Sequence, residues 1–313
     1  MSSSTTIPGL DHIVNIPYKE HATRLQTLDI WLPYQTQSPS QGTWIIYIHG
    51  GAWRDPTQTS SGITPTIRHL QSTHASLLQG PIAGIASINY RLSPYSSHPT
   101  DPSSPDDADR NVQHPAHVED VTFALNYLHE KYAVQRWLGI GHSCGATLLL
   151  QALSRTYEGD PNARMVKNLD ALILLAGIYD VPLFLESHTP PRCPADIAAI
   201  YADIVRGAFG EDEGVYAEAS PVKGKLVGDY VVLGWSAEDV LVEKEQRDNM
   251  LKRYLEKGWV RKGDEAEAGS EKVVEVRDLT GGHDEVWEDG RQIAGLVAEV
   301  VERLDGEKGK IKA

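Results

Sequence analysis

Cysteine is scarce in this chain: Cys144 and Cys193 are the only two among 313 residues. Two thiols can build neither a disulfide scaffold nor a cysteine-based zinc site, so redox chemistry and structural zinc are not expected. Long apolar runs are missing as well, and none approaches the roughly 18 residues that a membrane-spanning helix requires. The opening MSSSTTIPGLDH has neither the basic start nor the hydrophobic stretch of a secretory signal. A cytosolic protein without a membrane partner is therefore expected. Basic residues are few, with 29 Lys and Arg against 43 Asp and Glu and a formal net charge of −14. Nucleic-acid affinity draws mainly on cations that neutralise phosphates, so a nucleic-acid partner is not expected. No internal repeat and no ligand spacing such as H-E-x-x-H occurs, which leaves no metal and no cofactor to expect.

What is present is a strong alternation. A hydrophobic share of 41% is ordinary for a soluble globular protein, and the length suits one large α/β domain over residues 1–313. Short apolar runs read as buried strands in GTWIIYIHGG, PIAGIASINYRL, RWLGIGHS, LDALILLAGIYD, DYVVLGWSAED and EKVVEVRDLTGGHDE. Helical periodicity marks the stretches between them, among them HVEDVTFALNYLHEKY and LVEKEQRDNMLKRYLEKG, and the final RQIAGLVAEVVERL. Strands apolar on both faces and separated by helices predict a mostly parallel sheet covered on each side. Such a sheet gathers its functional loops at the carboxyl ends of the strands. Val181 to Pro221 is too long for a simple loop and has no clear strand, so it is expected to form a small helical cap. Pro94 to Pro115, Arg261 to Lys272 and the tail from Gly306 are rich in Pro, Ser, Gly and charge and are expected as surface loops or disordered segments.

At the junction of one strand and the next helix stands GHSCG, with Ser143 between Gly141 and Gly145. A strand that turns sharply into a helix throws such a serine outward as a nucleophile elbow. The pattern is short and weak alone. A serine hydroxyl needs a general base, and the base needs an acid to fix its tautomer. Ser143 is followed by Asp239 and then His283, each just past a predicted strand, in the chain order Ser, Asp, His of α/β-type hydrolases. Asp239 is equally suited to cap a helix beginning at Val240, and Glu238 and Asp284 are lesser candidates for the acid. After another predicted strand comes His49-Gly50-Gly51-Ala52-Trp53. Its backbone N–H groups at Gly51 and Ala52, with that of Cys144, are candidate donors for an oxyanion hole. A tight turn is the ordinary role of such a glycine pair, but here it has three partners. The elbow presents its central residue, so the Cys144 thiol is expected to pack beneath the turn.

These stretches, with NYRLSP from Asn89, HPAHVEDV from His114 and GGHDEVWE from Gly281, resemble the fungal kynurenine formamidases, or arylformamidases, of the α/β-hydrolase superfamily. The HGGAW form is the discriminating detail, because many esterases of that fold have a third glycine where Ala52 stands. The resemblance implies an α/β-hydrolase fold and deformylation of N-formyl-L-kynurenine in tryptophan breakdown, a route that feeds NAD synthesis. It also places the nucleophile on Ser143, the acid on Asp239, the base on His283 and the oxyanion motif on His49 to Trp53. Family members are often dimers; the sequence itself does not fix an oligomeric state. Trp53, Tyr90, Tyr179 and Trp287 lie near predicted strand ends and are candidates for the slot that holds the kynurenine ring, with core packing the other role open to each. A carboxylesterase for short acyl esters would share every catalytic residue, and a non-catalytic scaffold would normally have lost one of the three.

Overall fold

Runs such as WIIYI and ALILL are apolar at every position, which suits strands covered on both faces. In the computed structural model, which describes residues 7–34, 42–154, 163–264 and 272–311, they pair into one sheet of nine strands. These are β1 (Leu10–Pro17), β2 (Thr27–Pro33), β3 (Thr43–Ile48), β4 (Ile82–Ile88), β5 (Trp137–His142), β6 (Leu169–Leu175), β7 (Tyr230–Ser236), β8 (Val260–Arg261) and β9 (Val273–Leu279). The spatial order is β1-β2-β4-β3-β5-β6-β7-β9-β8. All pairings from β4 through β8 are parallel, while β1 pairs antiparallel with β2 and β2 with β4.

Helices α1 (Thr64–Thr73), α2 (Ala75–Leu78), α3 (Ala116–Tyr132), α4 (Cys144–Ser154) and α5 (Ala163–Lys167) precede β6. After β6 come α6 (Val181–Ser187), α7 (Ala195–Phe209), α8 (Glu213–Ala219), α9 (Lys244–Glu256), α10 (Glu285–Asp289) and α11 (Arg291–Ile311). Because strand side chains alternate in direction, β3 feeds two cores. Trp44, Ile46 and Ile48 pack with Val121 of α3, Leu149 of α4 and Met250 of α9. Ile45 and Tyr47 pack on the other face with Ile67 of α1 and Val297 of α11.

The six expected strands are β3 to β7 and β9; β1, β2 and β8 were not anticipated. In β1 only Leu10 is buried and polar residues interrupt the pattern, while β8 has two residues, too few for any periodicity. The strand-free stretch after β6 carries α6, α7 and α8. Between β4 and α3 no strand or helix forms, yet the stretch is tied to itself. Tyr95 N–H donates to Ser103 Oγ at 2.8 Å, Ser103 N–H returns to the Tyr95 carbonyl at 3.0 Å, and Arg110 pairs with Asp101 at 3.0 Å. The tail expected as a loop from Gly306 instead continues α11 to Ile311; its Glu and Lys residues are good helix formers that extend an already nucleated helix. Residues 312–313 lie outside the described residues, as do 265–271 of the loop expected after Arg261, a residue that belongs to β8.

Candidate active site

β5 ends at His142 and α4 begins at Cys144, which leaves Ser143 alone on the turn with φ of 53°. A residue with a side chain costs about 1–2 kcal/mol in that left-handed conformation, so the surroundings must enforce it. They do so by close approach. A Cβ on Gly141 would lie 2.5 Å from Ala146 Cα, and one on Gly145 would lie 2.2 Å from the Ile48 carbonyl oxygen. Only glycine lets strand, turn and helix meet this tightly. The Ser143 N–H donates to the Leu175 carbonyl at 2.9 Å, which pins the turn to the end of β6.

Asp239 and His283 follow β7 and β9, the strands beyond β6. His283 Nδ1 lies 2.7 Å from Asp239 Oδ2. A carboxylate accepts, so this contact places the imidazole proton on Nδ1 and leaves Nε2 as an acceptor. Asp239 Oδ1 accepts the N–H groups of Leu241 at 2.8 Å and Val242 at 3.0 Å, so both oxygens are held. No helix starts at Val240; the carboxylate closes a turn there, and α9 begins at Lys244. Glu238 turns away and accepts the Gly281 N–H at 3.0 Å. Behind the imidazole lies a residue that sequence reading missed. His142 Nε2–H donates to the His283 carbonyl at 3.0 Å, with the ring centroids 4.7 Å apart. Burial, with His283 next to it, holds the His142 pKa well below the ordinary histidine value, so the ring is a neutral donor. Its position just before Ser143 was the one available signal.

The loop after β3 is strained in the same sense as the elbow. Gly51, Ala52 and Trp53 have φ of 97°, 49° and 60°. Arg54 and Asp55 N–H groups both donate to the Gly51 carbonyl, at 2.9 and 2.8 Å, which locks the curl. His49 is neutral and structural: burial lowers its pKa to about 4, its ring stacks on Tyr90 at 4.5 Å, and Nδ1–H donates to the Gly50 carbonyl at 2.9 Å. The Cys144 thiol is fully buried under this loop, where it accepts the Trp53 N–H at 3.2 Å. Burial pushes it up to about 11, although the Tyr90 hydroxyl and the N–H groups of Trp53 and Ala52 oppose the shift. A thiol in that state is no nucleophile. The Cys144 N–H stands in the first turn of α4, where helical N–H groups lack partners within the helix.

Gly51, Ala52, Ser143 and His283 line one cavity of about 230 Å³. Its apolar wall is Ile178, Phe184, Ile200, Tyr201, Ile204 and Leu241; its polar wall includes Arg54, Asp55, Gln58, Tyr95 and Asp284. None of the four aromatic residues expected in the slot lines it, which corrects that reading. Trp53 is buried edge-on against Phe209, and the Tyr90 hydroxyl donates to the carbonyls of His49 and Gly50 beneath the loop. Tyr179 is buried in the core, and Trp287 packs against the α1 and α11 side while its Nε1–H donates to Asp284 at 3.0 Å. Strand ends aim their next side chain inward as often as outward, so nearness in sequence did not select the lining. The aromatic lining comes from Phe184, Tyr201 and Tyr95 instead. In α7, apolar residues at Ile197, Ile200, Tyr201, Ile204 and Val205 are more than one buried stripe needs, a signal that this helix faces more than the core. Among the described residues, no group of three or more His, Cys, Asp or Glu is placed to hold a metal ion, and no helix is long and apolar enough to cross a membrane.

A mostly parallel sheet with a strained serine elbow, and an Asp–His pair at neighbouring strand ends, defines an α/β hydrolase. Solved structures agree on the fold. Esterase B of Lactobacillus rhamnosis superposes with a TM-score of 0.66 at 15% identity, covering 98% of this chain and 91% of that one. An esterase of Pyrobaculum calidifontis gives 0.60 at 17% identity, covering 96% and 86%. The BD-FAE family model matches residues 28–223. A kynurenine formamidase-like hydrolase of Fusarium equiseti is 35% identical over 94% of this chain and 96% of its own length. A kynurenine formamidase of Aspergillus versicolor is 32% identical over 78% of this chain and 83% of its own. The chain belongs to the kynurenine formamidase-like hydrolases of the BD-FAE family.

Proposed function

We propose that this hydrolase deformylates N-formyl-L-kynurenine to L-kynurenine and formate, a step of tryptophan breakdown, through Ser143, His283 and Asp239. The observation that carries the reading is the 2.7 Å Asp239–His283 contact at a cavity that Ser143 shares; the naming of the relatives supplies the substrate. Ser143 Oγ gives its proton to His283 Nε2 and attacks the formyl carbon. The tetrahedral oxyanion is received by the N–H groups of Gly51, Ala52 and Cys144, donors worth a few kcal/mol of barrier each in such sites. Asp239 stabilises the imidazolium, which protonates the departing aryl amine. Water, deprotonated by His283, then releases formate from the formyl-serine. A formyl group needs little room, so the cavity of about 230 Å³ is left largely to the amine side. Helices α6 and α7 act as the cap, with Phe184, Ile200 and Ile204 against the aryl ring.

Formate release from N-formyl-L-kynurenine by the wild type and by Ser143→Ala, both checked for folding, tests this. Loss of at least about 10⁴-fold in the variant is expected. Release by neither, with a short-chain ester cleaved by the wild type alone, would overturn the substrate and leave the second reading, a carboxylesterase whose apolar wall takes the ester.

A further inference from the structure

Arg54 is the one guanidinium on the cavity wall among the described residues, and it is only 4% exposed. Its charge lies over the Tyr95 ring at 4.0 Å, and Nη1 donates to Asp203 Oδ2 of α7 at 2.6 Å. Asp203 is 64% exposed, so the anion facing this buried cation is one that water already solvates and screens. Guanidinium carries five N–H donors in a flat fork suited to carboxylates. Among the described residues no second acceptor takes them. Next to Arg54, Asp55 is fixed through Oδ1, which accepts the Thr57 N–H at 2.8 Å and hydroxyl at 2.7 Å. Asp284, which lines the same cavity, is likewise fixed through Oδ1, by Trp287 Nε1–H at 3.0 Å and Gln58 Nε2–H at 3.4 Å. Each carboxylate keeps Oδ2 for another donor. One held cation and two held carboxylates in a cavity that is otherwise largely apolar match the charge pattern of an aryl group that carries an α-amino acid.

Resting on the amide-hydrolysing reading of the same site, we infer that Arg54 anchors the carboxylate of the leaving amine's amino-acid group while Asp55 and Asp284 receive its ammonium. The substrate class is a small acyl anilide bearing a zwitterionic side chain. Asp203 is the internal carboxylate that the substrate's own carboxylate displaces or joins on the Arg54 fork.

The test compares N-formyl-L-kynurenine with 2′-formamidoacetophenone, the same aryl formamide without the amino-acid group, and reads the ratio of their kcat/KM values. Arg54→Gln is expected to lower that ratio about 10- to 100-fold, chiefly through KM, as loss of a charge-assisted fork should. Asp203→Asn is expected to raise it several-fold, a gain that a misfolded variant cannot produce. If the Arg54–Asp203 pair merely latches α7 to the oxyanion loop, Asp203→Asn depresses both substrates alike and the ratio stays put, which overturns the anchor. Should the wild type cleave neither formamide, the formamidase reading fails by itself. The anchor is then judged on phenyl acetate against 3-(2-acetoxyphenyl)propanoate: a preference for the charged ester that Arg54→Gln removes supports it, and no preference overturns it.

Discussion

The two sides of the cavity are held by different means. On the strand-end side each group of the proposed triad is held by short contacts: Ser143 by the glycine contacts around it, Asp239 by two N–H groups, His283 by Asp239 and by the His142 donor at its carbonyl. On the other side, α6 and α7 offer side chains whose surroundings are partly solvent; Ile200 is 48% exposed and lines the cavity, and Ile197 beside it is 38% exposed. In the proposed mechanism the first side tolerates no change of chemistry, because a displaced proton or oxygen ends the reaction. The second sets what fits, and can change by degrees. Substitutions should therefore separate, with those of Ser143, Asp239 and His283 acting on kcat and those on α6 and α7 acting on KM.

The sharpest break comes from Asp239→Asn. The amide keeps the shape of the side chain but donates where the carboxylate accepted, which favours the imidazole tautomer with its proton on Nε2, facing Ser143. A fall in kcat of about 10⁴-fold is expected, with KM and thermal stability nearly unchanged. Stopped assays at saturating substrate read the first, and a melting curve the second. A loss of only several-fold would mean that His283 does not take its proton from Ser143.

The same division explains what could be read in advance. The meeting of Ser143, Asp239 and His283 at neighbouring strand ends was legible because each sits just past an apolar run, and their chain order carries topology as well as composition. Gly141 and Gly145 were legible because close backbone approach permits no other residue. Trp53, Tyr90, Tyr179 and Trp287 satisfied the same nearness to strand ends and went into packing, since spacing along a chain does not say to which side a ring turns. Conversely, Phe184 and Ile204 come from helices that cross the site by tertiary packing, and their pattern in sequence is that of any core-facing helix. β1 escaped notice for the complementary reason: it is an antiparallel edge strand with most residues exposed, so it lacks the unbroken apolar run that marked the parallel strands.

Burial of histidine sharpens the contrast in a second way. His49 and His142 at the strand ends, and His117 on α3 with its Nε2 3.0 Å from Ser93 Oγ, are all buried and neutral. Burial holds His49 at about 4, His117 at about 3 and His142 well below its ordinary value. Unfolding restores a pKa near 6.5, so below that pH the unfolded chain binds more protons and stability falls with pH. The stability is complete above pH about 7.5 and is drawn down toward pH 4 for His49 and 3 for His117. Each deeply shifted histidine costs about 2 kcal/mol by pH 5. Asp170 and Glu243, whose carboxyls burial raises, return part of this at the acid end. Denaturant melts between pH 7.5 and 5 should show the decline, and His117→Asn should flatten it by one histidine's share. An unchanged slope in that variant would mean that His117 takes up its proton as readily in the fold as in the unfolded chain.

The smallest effect belongs to the solvent-washed wall, and it tests the division most finely. Ile200→Ala removes a half-exposed side chain from the cavity rim, so the fold loses little packing and its stability should stay within about 0.5 kcal/mol. A bound aryl group would lose the contact that the isoleucine makes only when the cavity is filled, at about 25 cal/mol per Å² of apolar surface no longer covered. A rise in KM of roughly 3- to 10-fold for an aryl formamide follows, with kcat nearly constant. Small formyl substrates without an aryl group should be indifferent to the change. A fall in kcat without a change in KM would place α7 among the elements that hold Ser143 and His283 in register, and the separation of the two walls would not stand.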